Sequence, residues 1–91
     1  MELKWTSKAL SDLMRLYEFL ASVDGPAATR TVQALSAAAA RLLANPRLGE
    51  RLDEFDPREV RRLLIGHYEL RYEIQRSLIY VLRIWHTREN R

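Results

Sequence analysis

Residues 59 to 86 read EVRRLLIGHYELRYEIQRSLIYVLRIWH, and this stretch predicts three consecutive β-strands. Its middle part alternates apolar with charged residues, which is typical of a strand with one face on a core and the other in water. The apolar set is Tyr68, Leu70, Tyr72 and Ile74, and the charged set is Glu69, Arg71 and Glu73. The segments before and after it, 66–67 and 75–77, are short enough for antiparallel hairpins.

The segments on either side of this strand complete the predicted sheet. The run from Val60 to Ile65 forms a strand that carries Arg61 and Arg62. Residues 78 to 85 form an almost continuous run of β-branched and aromatic residues, as expected of a central strand. Arg83 is the one charged residue in that run.

A short strand at 2–5 and a first helix are predicted at the start of the chain. Thr6 or Ser7 suits the N-cap of this helix, because its hydroxyl can accept a hydrogen bond from a free amide of the first turn. Asp12 is expected on the polar side of the helix. The apolar stripe at helical spacing, expected to face the core, consists of Ala9, Leu13, Leu16 and Leu20, widened by Leu10 and Tyr17.

An alanine-rich second helix is predicted from about Pro26 to Ala44, and the short connection at 24–26 makes the two helices an antiparallel hairpin. Asn45-Pro46 ends it, because the residue before a proline resists helix. Residues 47–58 are expected to form a polar loop, with room for one helical turn. The predicted order β-α-α-β-β-β is an α+β fold: a single domain over 1–91, with a mostly antiparallel sheet and a helical hairpin packed on one face.

Composition excludes several classes of site. There is no cysteine, so neither a disulfide nor a thiolate metal site can form, and His67 and His86 are far apart in the sequence. We therefore expect no metal and no cofactor. The chain has no signal-like start and no apolar run long enough for a bilayer, which predicts a cytoplasmic protein without a membrane partner.

The charge is unevenly distributed along the chain. Residues 1–55 hold seven basic and seven acidic side chains, whereas 56–91 hold eight arginines and five acids. The candidate binding residues for a target or partner are therefore Arg61, Arg62, Arg71, Arg83, His86 and Arg88. An arginine fork suits carboxylates and phosphates. The alternative is that the strand arginines pair with glutamates across strands and that His86 is a hydrogen-bonded surface residue. No catalytic residue is assigned.

The motifs together resemble the RelE/ParE superfamily of type II toxin–antitoxin toxins over almost the whole chain. The helical part of the resemblance lies in Trp5, Ala9, Asp12-Leu13, Asn45-Pro46 and Leu48-Gly49. The sheet part lies in Arg62-Leu63, Tyr68-x-x-x-Tyr72, the run 81–86 and Thr87-Arg88. The C-terminal motif, residues 81–88, resembles the ParE branch more than the RelE branch. In the RelE branch, basic residues on the sheet and a C-terminal tyrosine cleave mRNA, but here Glu69 and Thr87 occupy two basic positions and no tyrosine follows Tyr80.

The resemblance implies a toxin that inhibits DNA gyrase by binding it, without itself being an enzyme. It also implies neutralisation by a cognate antitoxin in a hetero-oligomer, with an acidic amphipathic segment of the antitoxin folding onto the hairpin and the basic sheet. Two alternatives stay open at this point. One is a RelE-like endoribonuclease acting on mRNA in the ribosome, and the other is an inactive relative that only binds other proteins.

Overall fold

The computed structural model describes residues 1–89 and confirms the α+β fold. Its helices and strands are β1 (Glu2–Trp5), α1 (Ser7–Ala21), α2 (Gly25–Arg41), β2 (Glu50–Arg51), a 3-10 turn (Asp53–Phe55), β3 (Glu59–Ile65), β4 (Tyr68–Gln75) and β5 (Leu78–His86). The strands form one sheet in the order β1-β5-β4-β3-β2. β1 runs parallel to β5, and the other neighbours are antiparallel.

Local sequence determines where the helices begin and end. Thr6 caps α1, since its hydroxyl oxygen accepts a hydrogen bond from the Ala9 amide at 3.1 Å. Asp24 caps α2 in the same way through the Ala27 amide, and Pro26 occupies the first turn. α2 ends at Arg41, three residues before the predicted end at Ala44, and turns follow it up to Asn45-Pro46.

The helical hairpin packs on one face of the sheet and buries the core there. The two helices contribute Ala9, Leu16, Leu35 and Ala39 to this core, and Leu42, the residue after α2, adds to it. The strands contribute Leu70, Tyr72, Ile74, Ile79, Val81 and Ile84. The apolar face predicted for β4 is therefore confirmed. We call the opposite face of the sheet, which carries Glu69, Arg71 and Glu73, the open face.

The loop predicted at 47–58 contains more structure than its sequence suggested. Glu50–Arg51 adds a fifth, edge strand beside β3, and the 3-10 turn follows it. The turn places Phe55 near Arg71 on the open face. Glu69 and Glu73 are consequently 2% and 5% exposed, so the expectation of a solvated charged face on β4 was wrong.

Tyr72 ties this loop to the sheet. Its hydroxyl donates to the Pro46 carbonyl at 2.7 Å and accepts from the Gly49 amide at 2.9 Å. A Cβ at Gly49 would lie 2.5 Å from the Arg62 carbonyl oxygen and 2.9 Å from the Tyr72 ring. The absence of a side chain at Gly49 therefore allows the loop to approach β3 closely enough for both hydrogen bonds.

Tyr72→Phe should lower the free energy of unfolding by about 1–3 kcal/mol, because it leaves a buried amide and a carbonyl without their partner. Urea denaturation at neutral pH measures this change. Tyr17→Phe removes the same atom from a side chain that is 41% exposed and should change stability by less than ~0.5 kcal/mol. Equal effects of the two substitutions would contradict the structural role of the Tyr72 hydroxyl.

Candidate functional site

Three of the predicted site residues form a row across the open face. Arg62 of β3 pairs with Arg71 of β4, and Arg71 pairs with Arg83 of β5. Like charges on directly opposed strand positions repel each other, so such a row requires compensation. The sheet register thus brings together arginines that are up to 21 positions apart in the sequence.

Each arginine of this row is paired with a carboxylate. Arg62 donates to Glu50 at 2.7 Å and Arg71 donates to Glu69 at 2.8 Å. Arg83 binds Asp12 through two nitrogens, at 2.8 and 3.2 Å. The hydrogen bond to Glu50 raises the pKa of Arg62, and the one to Asp12 raises that of Arg83. The row is therefore neutralised locally and does not present three free cations.

Aromatic rings separate the guanidinium groups of the open face. The Arg71 guanidinium carbon lies 5.6 Å from the Phe55 ring centroid and 4.7 Å from the Trp85 ring centroid, and that of Arg83 lies 5.2 Å from the Trp85 ring centroid. Arg58 adds a contact of 5.9 Å to Phe55 and a two-point ion pair with Glu73. We call these five residues, Arg58, Phe55, Arg71, Trp85 and Arg83, the cation–aromatic stack. Such contacts stabilise a cation where water is excluded.

Asp12 was expected on the solvated side of α1, but it is 5% exposed. Besides Arg83, its carboxylate accepts a hydrogen bond from the Ile84 amide at 3.0 Å and one from Arg15 at 3.4 Å. Burial opposes ionisation of this carboxyl, but the hydrogen bonds from Arg83 and Ile84 outweigh it and lower its pKa. Sequence reasoning did not place Asp12 in the candidate site, since its partners Arg83 and Ile84 are 71 and 72 positions away.

Arg61 does not join the row, because neighbouring residues of a strand point to opposite faces. It lies on the helix-side face, opposite Tyr72 in the register. Its guanidinium donates to Glu59 at 2.9 Å and to the Gly49 carbonyl at 2.7 Å. The alternative prediction was that Arg61 pairs with a glutamate on a neighbouring strand. Instead, Arg61 pairs with Glu59 of its own strand and also binds the loop before β2.

His86 and Arg88 lie at the end of β5, apart from the arginine row. The His86 ring stacks on His67 with 6.0 Å between centroids and meets Tyr68 edge-on at 5.3 Å. Its Nδ1 accepts a hydrogen bond from the Arg88 amide at 3.1 Å. The two histidines are thus adjacent in space. Within residues 1–89, no group of three or more histidine, aspartate or glutamate side chains is arranged to hold a metal ion.

A groove of about 560 Å³ opens beside His86, between the second half of α1 and the ends of β4 and β5. Its apolar wall includes Phe19, whose side chain is 70% exposed. Arg15 and Glu89 close one side through an ion pair of 2.6 Å. The lining residues are Arg15, Leu16, Phe19, Leu20, Tyr68, His86, Arg88 and Glu89. An apolar floor with a basic rim suits an amphipathic, acidic segment.

A family model and a solved structure are similar to this chain over most of its length. The family model described as "ParE toxin of type II toxin-antitoxin system, parDE" matches residues 3–91. A solved structure titled "Chromosomal ParDE TA system from P. aeruginosa" is 28% identical, with a TM-score of 0.79, and the match covers 94% of this chain and 95% of that one. A search among curated proteins found no match. None of the helices in the described chain is long and apolar enough to cross a membrane.

The Asp12 contacts predict an acid-sensitive stability. A carboxyl whose pKa is lowered on folding stabilises the protein above its unfolded pKa, at about pH 4, and this contribution is lost as the pH falls through the folded pKa. Asp12→Asn should therefore be less stable than the parent at pH 7, and the difference should shrink below about pH 4. Urea midpoints measured from pH 7 to pH 3 test this, and a difference that stays constant would contradict it.

Proposed function

The chain belongs to the ParE toxin family of type II toxin–antitoxin systems, and on that premise we propose that it inhibits DNA gyrase by binding it. The gyrase target comes from the family resemblance. A cognate antitoxin of the ParD kind neutralises the toxin by forming a hetero-oligomer with it. Since DNA gyrase and the antitoxin are its proposed partners, the cytoplasm is its proposed location.

The neutralised arginine row is the observation that supports binding over RNA cleavage. Cleavage of a phosphodiester needs cations that can stabilise the developing charge and a group that can move a proton. Arg62, Arg71 and Arg83 are already engaged by carboxylates, two of which, Glu69 and Asp12, are almost fully buried. Freeing Arg71 or Arg83 for a phosphate would take a cation away from a buried carboxylate, Glu69 or Asp12, which is costly.

His86 supports the same conclusion through its position. In the register of β4 and β5, His86 lies opposite Tyr68. Tyr68 is on the same face of β4 as Leu70, which belongs to the helix-side core. His86 is therefore on the face away from the arginine row. Its Nδ1 is occupied by the Arg88 amide. A proton-moving role for His86 alongside Arg71 or Arg83 would need groups on two sides of the sheet to act on one substrate.

The groove beside α1 is the surface we assign to the antitoxin. Leu16, Leu20 and Phe19 can bury the apolar side of an amphipathic segment, and Arg88 lies where an acidic side chain of that segment could pair with it, whereas Arg15 is already paired with Glu89. Since such a segment folds on binding, its affinity depends on filling the apolar floor well enough to offset its loss of conformational entropy.

Two assays run in parallel test the target. Added to purified gyrase with relaxed plasmid, the protein should abolish supercoiling, and added to a cell-free translation reaction it should leave protein synthesis unchanged. Cuts in mRNA at defined positions during translation would instead support the RelE-like alternative. If the protein inhibited neither supercoiling nor translation, the result would support the alternative of an inactive relative that only binds other proteins.

Phe19→Asp should weaken binding of the purified cognate antitoxin by at least about tenfold, because it puts a charge in the apolar floor of the groove. Isothermal titration calorimetry measures the change. Leu64→Asp is the matched control, since Leu64 is 58% exposed and lies outside the groove, so it should bind as the parent does. Equal loss in both variants, or in neither, would remove the groove from the antitoxin interface.

A further inference from the structure

The chain after β5 folds back onto the end of the sheet and forms one wall of the groove. The Thr87 amide donates to the His67 carbonyl at 2.8 Å, and the Glu89 amide donates to the His86 carbonyl at 2.9 Å. These two backbone hydrogen bonds hold the segment in place. As a result the Glu89 side chain meets Arg15 of α1, which lies 74 positions away in the sequence.

Glu89 occupies Arg15 as a ligand would. Of the described residues that line the groove, Glu89 is the one carboxylate, whereas Arg15 and Arg88 are cations. Glu89 Oε1 accepts a hydrogen bond from Arg15 Nη1 at 2.6 Å, and this bond raises the pKa of Arg15. The pair is therefore the same charge-assisted contact that an acidic side chain entering the groove would make with Arg15.

Arg15 has further contacts that do not involve Glu89. Its other terminal nitrogen, Nη2, lies 3.4 Å from a carboxylate oxygen of Asp12 and 3.5 Å from the Ile84 carbonyl oxygen. The two terminal nitrogens thus have different partners: Nη2 faces the fold, and Nη1 faces Glu89. Replacing Glu89 by another carboxylate at Nη1 leaves the Nη2 contacts intact, so Arg15 is already oriented towards a ligand of the groove.

The exposure of the Arg15–Glu89 pair allows such an exchange. The Arg15 side chain is 47% exposed and that of Glu89 is 27% exposed. An ion pair that water reaches is weak, because water solvates both charges when the pair opens. The neighbouring pair of Arg83 with Asp12 differs in this respect, since the Asp12 carboxylate is buried and would lose its cation without gaining water.

We propose that Glu89 competes with the antitoxin for Arg15. An acidic side chain of the bound segment takes the place of Glu89 at Arg15 Nη1, and the Glu89 carboxylate turns to water. This inference rests on the proposed antitoxin site in the groove and names the residue that limits its affinity. Because one ion pair replaces another, binding leaves the number of ion pairs at Arg15 unchanged, and Arg15 adds little salt dependence to the affinity.

Isothermal titration calorimetry of the full chain with its purified cognate antitoxin tests the proposal. Glu89→Gln keeps the shape of the side chain and removes its charge, so it should lower the dissociation constant about two- to fivefold, the range expected for a partly exposed ion pair. The affinity of this variant should also fall more steeply than that of the parent between about 0.05 and 0.5 M NaCl, because binding now creates an ion pair.

Two further variants are the controls. Glu2→Gln removes the same charge from an exposed side chain opposite Leu78, at the other end of β5 from the groove, and should bind as the parent does. In an Arg15→Gln background, Glu89→Gln should leave the dissociation constant nearly unchanged, because the competition requires the guanidinium group. The melting temperature of each variant verifies that it folds.

The outcomes separate this inference from the antitoxin site on which it rests. If Phe19→Asp weakens binding but Glu89→Gln binds with the affinity of the parent or more weakly, the competition is overturned and the groove remains the antitoxin site. If Phe19→Asp binds as the parent does, the groove assignment fails and the competition with it. Tighter binding of Glu89→Gln that persists in the Arg15→Gln background would also overturn the competition, because Arg15 would then have no part in it.

Discussion

The contact on which the rest of this fold depends is the one between the Asp12 carboxylate and the β5 backbone. β1 pairs with β5 only as far as Val81, and beyond that point the edge of β5 would expose unpaired backbone groups. α1 takes over this edge: Thr6 donates to the Leu82 carbonyl at 3.1 Å, and Asp12 accepts from the Ile84 amide. The change from strand pairing to helix packing thus occurs without leaving these backbone groups unsatisfied.

The same carboxylate links the two faces of the sheet. Asp12 belongs to a helix on the core side, yet it holds Arg83, which caps one end of the cation–aromatic stack on the open face. The register change between Arg71 and Tyr72 leaves Leu82 as an extra residue where β1 ends and α1 begins. A bulge at this position turns the end of β5 and lets its side chains reach a helix and the sheet surface together.

The sequence alone was sufficient for the elements with strong periodicity and was insufficient where contacts are distant. The alternation around Leu70 predicted β4, and the capping hydroxyl of Thr6 or Ser7 predicted the start of α1, because both signals are local. Asp12 has the helical position of a surface residue, and its burial follows from a strand 71 positions later. Likewise, two residues, Glu50–Arg51, are too few for a strand pattern, so β2 is defined only by its pairing with β3.

The dependence on distant contacts also explains why the predicted site residues lie in three separate places: the arginine row, Arg61, and His86 with Arg88. A row such as Arg62, Arg71 and Arg83 can be counted from the sequence, but whether it is a binding surface depends on whether carboxylates lie within reach. Here Asp12 of α1, Glu50 of β2 and Glu69 of β4 supply them, so the positive charge is used in ion pairs within the fold. The surface proposed for the antitoxin, the groove beside α1, is mainly apolar, so in that proposal recognition rests on shape and burial more than on net charge.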